Sequence, residues 1–399
     1  MSLASPSEVR RRSTRKRSRH GCRNCKLRKL KCDESKPQCQ TCCLFGVVCN
    51  FILHVPDLHP VAGGTADRAL LARGKPQIAA PQTNNVWTAD SLTAYQLSAR
   101  CQDFITRYLG RSLITPDDAN MRQVNLKLLE LAFGYPFLMH ASLAVALTYD
   151  RHLTGSSESR RTLEECYHWS RSTALLNARL QQPIEEGDRD PIWGTATALA
   201  ILASSSPDAD TPEQAWPLKS STDSASDLEW LRLHECKMGL WNMLDPMRPG
   251  SIFRVMAATY AEMNVPLPAR GIEGVPLALA VVCALTEEST PRTSPYFDPA
   301  HAVSHILVLP DSEVTTGPTQ LFLQTIHGSF KKLLLSRDPV ALLLLHLWYQ
   351  KAGRCLWWIE MRSRIEGPAI CMYLRRYHKD REDILQFLPG GALSGKWGG

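Results

Sequence analysis

The chain has 399 residues, 44% of them hydrophobic and 21% charged, with a formal net charge of +7. These values exclude collagen-like and wholly disordered chains and leave room for two or three units of roughly 100–200 residues each. The charge is concentrated at one end: residues 1–49 hold 13 Lys or Arg against 3 Asp or Glu, and residues 50–399 hold 33 against 36.

Residues 1–20 read as a disordered basic arm. Arg10, Arg11, Arg12, Arg15, Lys16, Arg17 and Arg19 fall within ten residues that contain no acid. Such a run attracts a polyanion, nucleic acid before anionic membrane, and suits nuclear import, so the nucleus is the expected location. The first residues lack an apolar h-region and a small-residue cleavage site, so export is not expected and the thiols should stay reduced.

Residues 21–51 form the next unit. Seven of the 13 cysteines lie between Cys22 and Cys49, in the order Cys22-x2-Cys25-x6-Cys32-x6-Cys39-x2-Cys42-x6-Cys49, with Cys43 surplus. This is C-x2-C-x6-C written twice. The short step lets two sulfurs of one turn reach one metal, and six residues allow nearly two helical turns before the third. Two tetrahedral zinc ions need eight ligand positions, which six thiolates fill only if two of them bridge. The repeat makes Cys22 and Cys39 the equivalent bridging candidates. A four-cysteine zinc ribbon on Cys22, Cys25, Cys39 and Cys42 would leave Cys32 and Cys49 without a role, and a disulfide knot would need export.

The two repeats differ in charge. Arg23, Lys26, Arg28, Lys29 and Lys31 lie in the first, and no basic residue lies between Cys39 and Cys49. Six thiolates and two divalent cations sum to about −2, so some of this charge offsets the cluster. The surplus, placed on one short helix, suits entry into the major groove of double-stranded DNA. Leu44, Phe45, Val47 and Val48 are expected to pack the second repeat against the first.

The spacing from Cys22 to Cys49 resembles the fungal zinc binuclear cluster family of transcription factors, and Pro37 falls where that family commonly has a proline. The resemblance implies one zinc on Cys22, Cys25, Cys32 and Cys39 and another on Cys39, Cys42, Cys49 and Cys22. It also implies that Arg28, Lys29 and Lys31, just before the third cysteine, read a CGG-type triplet. The implied function is sequence-specific regulation of genes transcribed by RNA polymerase II, with the transcription machinery as a partner.

Residues 52–86 read as a linker, with four prolines and three glycines from Ile52 to Val86. No heptad is sustained there, so a homodimer and its half-site spacing are left open. Residues 87–390 read as an all-α domain of roughly ten or more helices. Leu97, Cys101, Phe104, Ile105 and Tyr108 form one stripe, and Leu323, Ile326, Phe330, Leu333 and Leu334 another. A Ser/Pro/Asp-rich stretch at 204–227, with Pro291, Pro295, Pro299, Pro310 and Pro318, is expected to separate helical blocks. Leu131 to Tyr149 is nineteen residues without formal charge, but Pro136 leaves only thirteen after it, which suits a buried helix and not a membrane span.

The strings LAFGYPFLMHASLAVAL, VALLLLHLWYQ and CLWWIEMRSR are similar to the regulatory domain of fungal regulators of the sterol-uptake-control type. That resemblance implies control of sterol or secondary-metabolite genes and a site for a small apolar effector in the C-terminal helices. Trp348, Trp357, Trp358, Met361 and Met372 would line it, with plain core packing as the alternative. Cys101, Cys166, Cys236, Cys283, Cys355 and Cys371 are expected to be buried, inert thiols. His140, His152 and His346 are expected in the core or on helix surfaces, with no pair at metal spacing. The acidic stretches at 185–190 and 223–235 read as solvated loops, with activation segments as the alternative.

No enzyme motif survives its context. GGALSGK at 390–396 is followed by Trp397 and too few residues for a helix, and His234-Glu235 lacks the second histidine of a zinc protease. Residues 391–399 read as a disordered tail. The rival to a DNA-binding regulator is a zinc-containing nucleic-acid scaffold or RNA-binding protein. Phe45 is the sole aromatic residue within the cysteine pattern, which disfavours base stacking.

Overall fold

The structure is a computed structural model describing residues 18, 20–27, 30–36, 39–45, 49–51, 99–110, 118–154, 161–207, 209–219 and 227–393. The chain divides into two units, Met1–Thr83 and Asn84–Gly399. The basic arm apart from positions 18 and 20, the linker, Pro37 and the side chains at 43–48 lie outside the described residues, as do Leu97 and positions 394–399. No strand occurs among the described residues.

The described residues of the first unit include two short helices, α1 (Arg23–Leu27) and α2 (Gln40–Phe45), one in each repeat. The helix expected to reach the third cysteine is shorter: after Leu27 the Leu30 N–H donates to the Cys25 carbonyl at 3.0 Å, and Lys31 and Cys32 follow in irregular backbone. Among the described residues, the interior of this unit is the six cysteines, Gly21 and Asn24, with Phe51 packed partly against the sulfurs.

The second unit begins with α3 (Ala99–Ile105), which runs into a π-helical turn at Thr106–Gly110. Next come α4 (Ala119–Ala132), α5 (Pro136–Thr154), α6 (Leu163–Leu180) and α7 (Arg189–Ser204). The chain continues through α8 (Glu229–Gly239), α9 (Trp241–Leu244), α10 (Ala257–Met263), α11 (Leu277–Val282) and α12 (Phe297–Leu307). It ends with α13 (Thr316–Thr325), α14 (Gly328–Leu335), α15 (Pro339–Cys355), α16 (Trp357–Tyr377) and α17 (Glu382–Leu385).

Helix starts follow local chemistry. Asp118 accepts from the Met121 N–H at 2.8 Å, Thr162 and Glu165 form a capping box, and Asp338 accepts from Val340 and Ala341 with Pro339 at the first position. The uncharged run predicted as a core helix is α5, buried from Phe137 to Thr148. No described helix is long and apolar enough to cross a membrane. Cys101, Phe104, Ile105 and Tyr108 are buried together as their spacing predicted.

Several expectations change. The stripe from Leu323 to Leu334 is two helices, because the chain turns at Gly328, whose φ of +59° favours glycine. Pro299 and Pro318 do not separate blocks; each sits in the first turn of a helix, where the missing N–H costs no intrahelical bond. The acidic residues at 185–190 are not all solvated. Asp188 is buried against Arg179, and Asp190 accepts from Ser251 Oγ at 2.8 Å and the Ile252 N–H at 3.0 Å. Of the scattered cysteines, Cys101, Cys283 and Cys371 are buried, whereas Cys166 and Cys236 are exposed. Gly391–Leu393 belong to the folded unit, where the Leu393 N–H donates to the Gln386 carbonyl at 2.9 Å.

One buried network fixes α16 against α7. The Arg362 guanidinium donates to the carbonyls of Ala203, Ser204 and Ser206 at 2.8–2.9 Å, adding donors where the helical ladder of α7 runs out. It also pairs with Glu366, which accepts from the Tyr349 hydroxyl at 2.6 Å, and it lies over the Trp230 ring. Nearby, α15 and α16 approach closely at Gly353, where an added Cβ would meet Ser363.

Candidate metal centre and nucleic-acid interface

The structure gathers the sulfurs of both repeats. Cys22 Sγ lies 3.7 Å from Cys39 Sγ and 3.5 Å from Cys42 Sγ; Cys25 Sγ lies 3.6 Å from Cys39 Sγ and 3.9 Å from Cys42 Sγ. Thiolates bound tetrahedrally to one zinc at about 2.3 Å stand roughly 3.8 Å apart; the Cys22–Cys39, Cys22–Cys42 and Cys25–Cys39 edges have that length, and Cys25 and Cys42, which the resemblance places on different ions, are equally close. Cys32 interacts with Cys39 and Cys25, and Cys49 with Cys22 and Cys39. An all-sulfur donor set of this kind suits zinc.

A two-fold equivalence runs through the polar contacts. The Cys25 N–H points at Cys22 Sγ at 3.4 Å, and the Cys42 N–H at Cys39 Sγ at 3.3 Å. Asp33, directly after the third cysteine of the first repeat, accepts from the Thr41 N–H of α2 at 3.1 Å and the Gln40 N–H at 3.0 Å. Asn50, directly after the third cysteine of the second, accepts from the Asn24 N–H of α1 at 2.8 Å. Each repeat therefore holds the first turn of the other repeat's helix. The role of Asp33 and Asn50 escaped the sequence reading, although their equivalent positions in the repeat were visible.

The electrostatics follow from crowding. Burial pushes the Cys25 thiol up to about 11 and raises those of Cys39 and Cys42. Desolvation opposes ionisation at Cys32 and Cys49 too, but backbone donors outweigh it, from Cys22 and Glu34 at the first and from Cys39 and Phe51 at the second. A bound cation reverses the cost for the whole group by holding the sulfurs as thiolates. Hydrogen bonds from Ser35 and then from the α2 amides keep the Asp33 carboxyl well below the usual carboxylate range.

Among the predicted DNA contacts, Arg23 and Lys26 are exposed on α1 and Lys31 is exposed beyond it. Arg28 and Lys29 lie outside the described residues, as do the residues predicted for nuclear import. The sequence reading missed Leu27 and Leu30, which stand exposed among these cations at 53% and 47%. Two leucines left outside so small an interior are available for contact with another molecule.

In the helical unit, the aromatic set predicted to line an effector pocket does not do so as a group. Trp348 stacks on Phe322 and Trp230, Trp357 packs against Tyr149, and Met372 is exposed. Only Trp358 of the five lines the largely apolar cavity of about 160 Å³ in this unit. The histidines are also more connected than expected. His140 Nδ1 lies 2.8 Å from His168 Nδ1, and Cys101, Glu164 and His168 offer ligand atoms all within 4.8 Å of one another. Glu164 and His168 are one turn apart on α6, but His140 and Cys101 lie 28 and 67 residues before His168, where no local spacing could signal them.

Residues 20–54 match the family described as "Fungal Zn(2)-Cys(6) binuclear cluster domain". The chain is similar to a "Zn(2)-C6 fungal-type transcription factor" of Gibberella zeae, with 55% identity over 40 residues, which is 10% of this chain and 8% of that relative. No solved structure matches the chain. Residues 20–54 therefore carry a fungal Zn(2)-Cys(6) binuclear cluster domain, and its six clustered cysteines suit two zinc ions.

Proposed function

We propose that this chain is a sequence-specific DNA-binding transcription regulator that acts in the nucleus on genes transcribed by RNA polymerase II. The observation that carries the reading is the cysteine cluster of a zinc-cluster domain with cations on its first repeat alone. Cys22, Cys25, Cys32 and Cys39 hold one zinc, and Cys39, Cys42, Cys49 and Cys22 the other. The zinc ions supply the rigid interior of a segment too short for an apolar core.

Arg28, Lys29 and Lys31 read base edges of a CGG-type triplet, while Arg23 and Lys26 contact phosphate. Leu27 and Leu30 add apolar contact beside them. The arm from Arg10 to Arg19 directs import and adds nonspecific attraction to DNA. The helical unit is the regulatory part.

Selection of bound sites from random duplex DNA, using the full zinc-loaded chain, tests this reading. An enriched triplet lost on chelation supports it, and paired triplets would assign a dimer. Lys29→Ala should lose roughly 1–3 kcal/mol on the selected site and much less on a scrambled one. Equal affinity for single-stranded RNA and selected duplex would favour the scaffold reading instead.

A further inference from the structure

A cavity of about 160 Å³ in the helical unit is walled mostly by apolar surface, from side chains such as Leu128, Leu138, Phe253 and Met256. A dry apolar cavity of about 150 Å³ holds a benzene-sized molecule, so this one takes a single small ring or a short chain and not a sterol.

Neutral polar side chains such as Asn125, Thr197 and Gln320 also reach the wall, but its two basic groups stand together. His234 and Lys237, three residues apart on α8, share a helical face and both line the cavity. His234 is 3% exposed and its Nε2 has no hydrogen-bond partner. Lys237 is 8% exposed; its Nζ lies 5.3 Å from the centre of the Trp193 ring. Desolvation alone pushes its pKa down to about 8, with no carboxylate close enough to offset it. Asp118, the acid on the wall, is engaged as the cap of α4. A buried ammonium beside a ring face and with no carboxylate near it lacks its counter-charge.

We propose that this cavity binds a small amphipathic monocarboxylate, whose carboxylate pairs with Lys237 and accepts from His234 while its aromatic or short aliphatic body fills the apolar space. The carboxylate supplies the missing charge and an acceptor for the unpartnered ring nitrogen together. A neutral ligand of the same shape could accept from His234 but would bring no counter-charge to Lys237.

The inference is independent of the DNA-binding reading, and one sample tests both. The full zinc-loaded chain is titrated calorimetrically with benzoate and hexanoate and, as neutral counterparts, benzyl alcohol and hexanol. Duplex binding is followed separately. Both acids should bind more tightly than their alcohols. Lys237→Met, which keeps the length and removes the charge, should weaken the acids by roughly thirtyfold or more and leave the alcohols unchanged. Acids that bind no better than alcohols, or acid binding untouched by Lys237→Met, overturn the proposal. If that variant does not fold, the comparison of acids with alcohols on the unsubstituted chain decides alone. Loss of duplex binding with acid binding intact counts against the DNA reading only.

Discussion

Asn50 accepts the backbone N–H of Asn24 at 2.8 Å, and by the same repeat logic Asp33 accepts that of Thr41 at 3.1 Å. These bonds orient the turns that present the x2 cysteine pairs, so they act on the metals through the sulfurs. Asp33→Ala and Asn50→Ala should each lower zinc affinity by about 10–100-fold, the range found when groups behind metal ligands are removed. Competition against a chromophoric chelator measures it. Unchanged affinity in both variants would make the contacts incidental.

The bridging assignment distinguishes cysteines that look alike in sequence. Cys22→Ser or Cys39→Ser should reduce bound zinc below one equivalent, because each removes a ligand from both ions. Cys43→Ser should leave two equivalents. Elemental analysis of purified protein gives the numbers, and a Cys43 requirement would redraw the ligand set.

Arg362 and Glu366 form a buried pair whose guanidinium also serves three carbonyls at the end of α7. Arg362→Ala leaves the carboxylate and those carbonyls without their partner. The expected loss is about 3–5 kcal/mol, seen as a lower urea midpoint of the helical unit. The double replacement Arg362→Met with Glu366→Leu should recover part of it, since a matched apolar pair removes the stranded charge. A loss below about 1 kcal/mol in Arg362→Ala would mean that the network is dispensable.

Burial lowers the pKa of His346 to about 4 and lowers those of His152, His234 and His301 as well, desolvation being the largest cause at each. Unfolded, these rings take up protons near 6.5. The unfolded chain therefore binds more protons across this window, and the folded state loses stability as pH falls from about 6.5 towards 4. The contribution of His346 alone is about 3 kcal/mol, fully present above pH 6.5. Denaturation at pH 7 and pH 5 should show the decline, and His346→Gln should make the profile shallower. An unchanged slope in that variant would place the protonation elsewhere.

What was legible in the sequence was whatever repeats locally. The cysteine pattern announces itself because its six members sit within 28 residues at fixed steps. The helical character of the second unit follows from stripes such as Cys101 to Tyr108. A stripe misleads when the next helix continues its phase, as Leu323 to Leu334 does across Gly328. His234 and Lys237 were illegible for a different reason. On α8 they look like ordinary polar positions, and only the neighbouring helices decide that this face is covered. The Arg362 network, likewise, joins positions more than 150 residues apart.

Sulfur makes up most of the described interior of the first unit, whereas the second is filled with leucine, tryptophan and phenylalanine. The halves of this polypeptide should therefore come apart under different insults. Urea and heat dissolve an oily interior and act less on metal–sulfur bonds, while a sequestering agent or an oxidant that consumes thiols dismantles the small head and spares the large body. A cell starved of zinc would then hold a polypeptide still largely folded and yet without an ordered cysteine-rich segment.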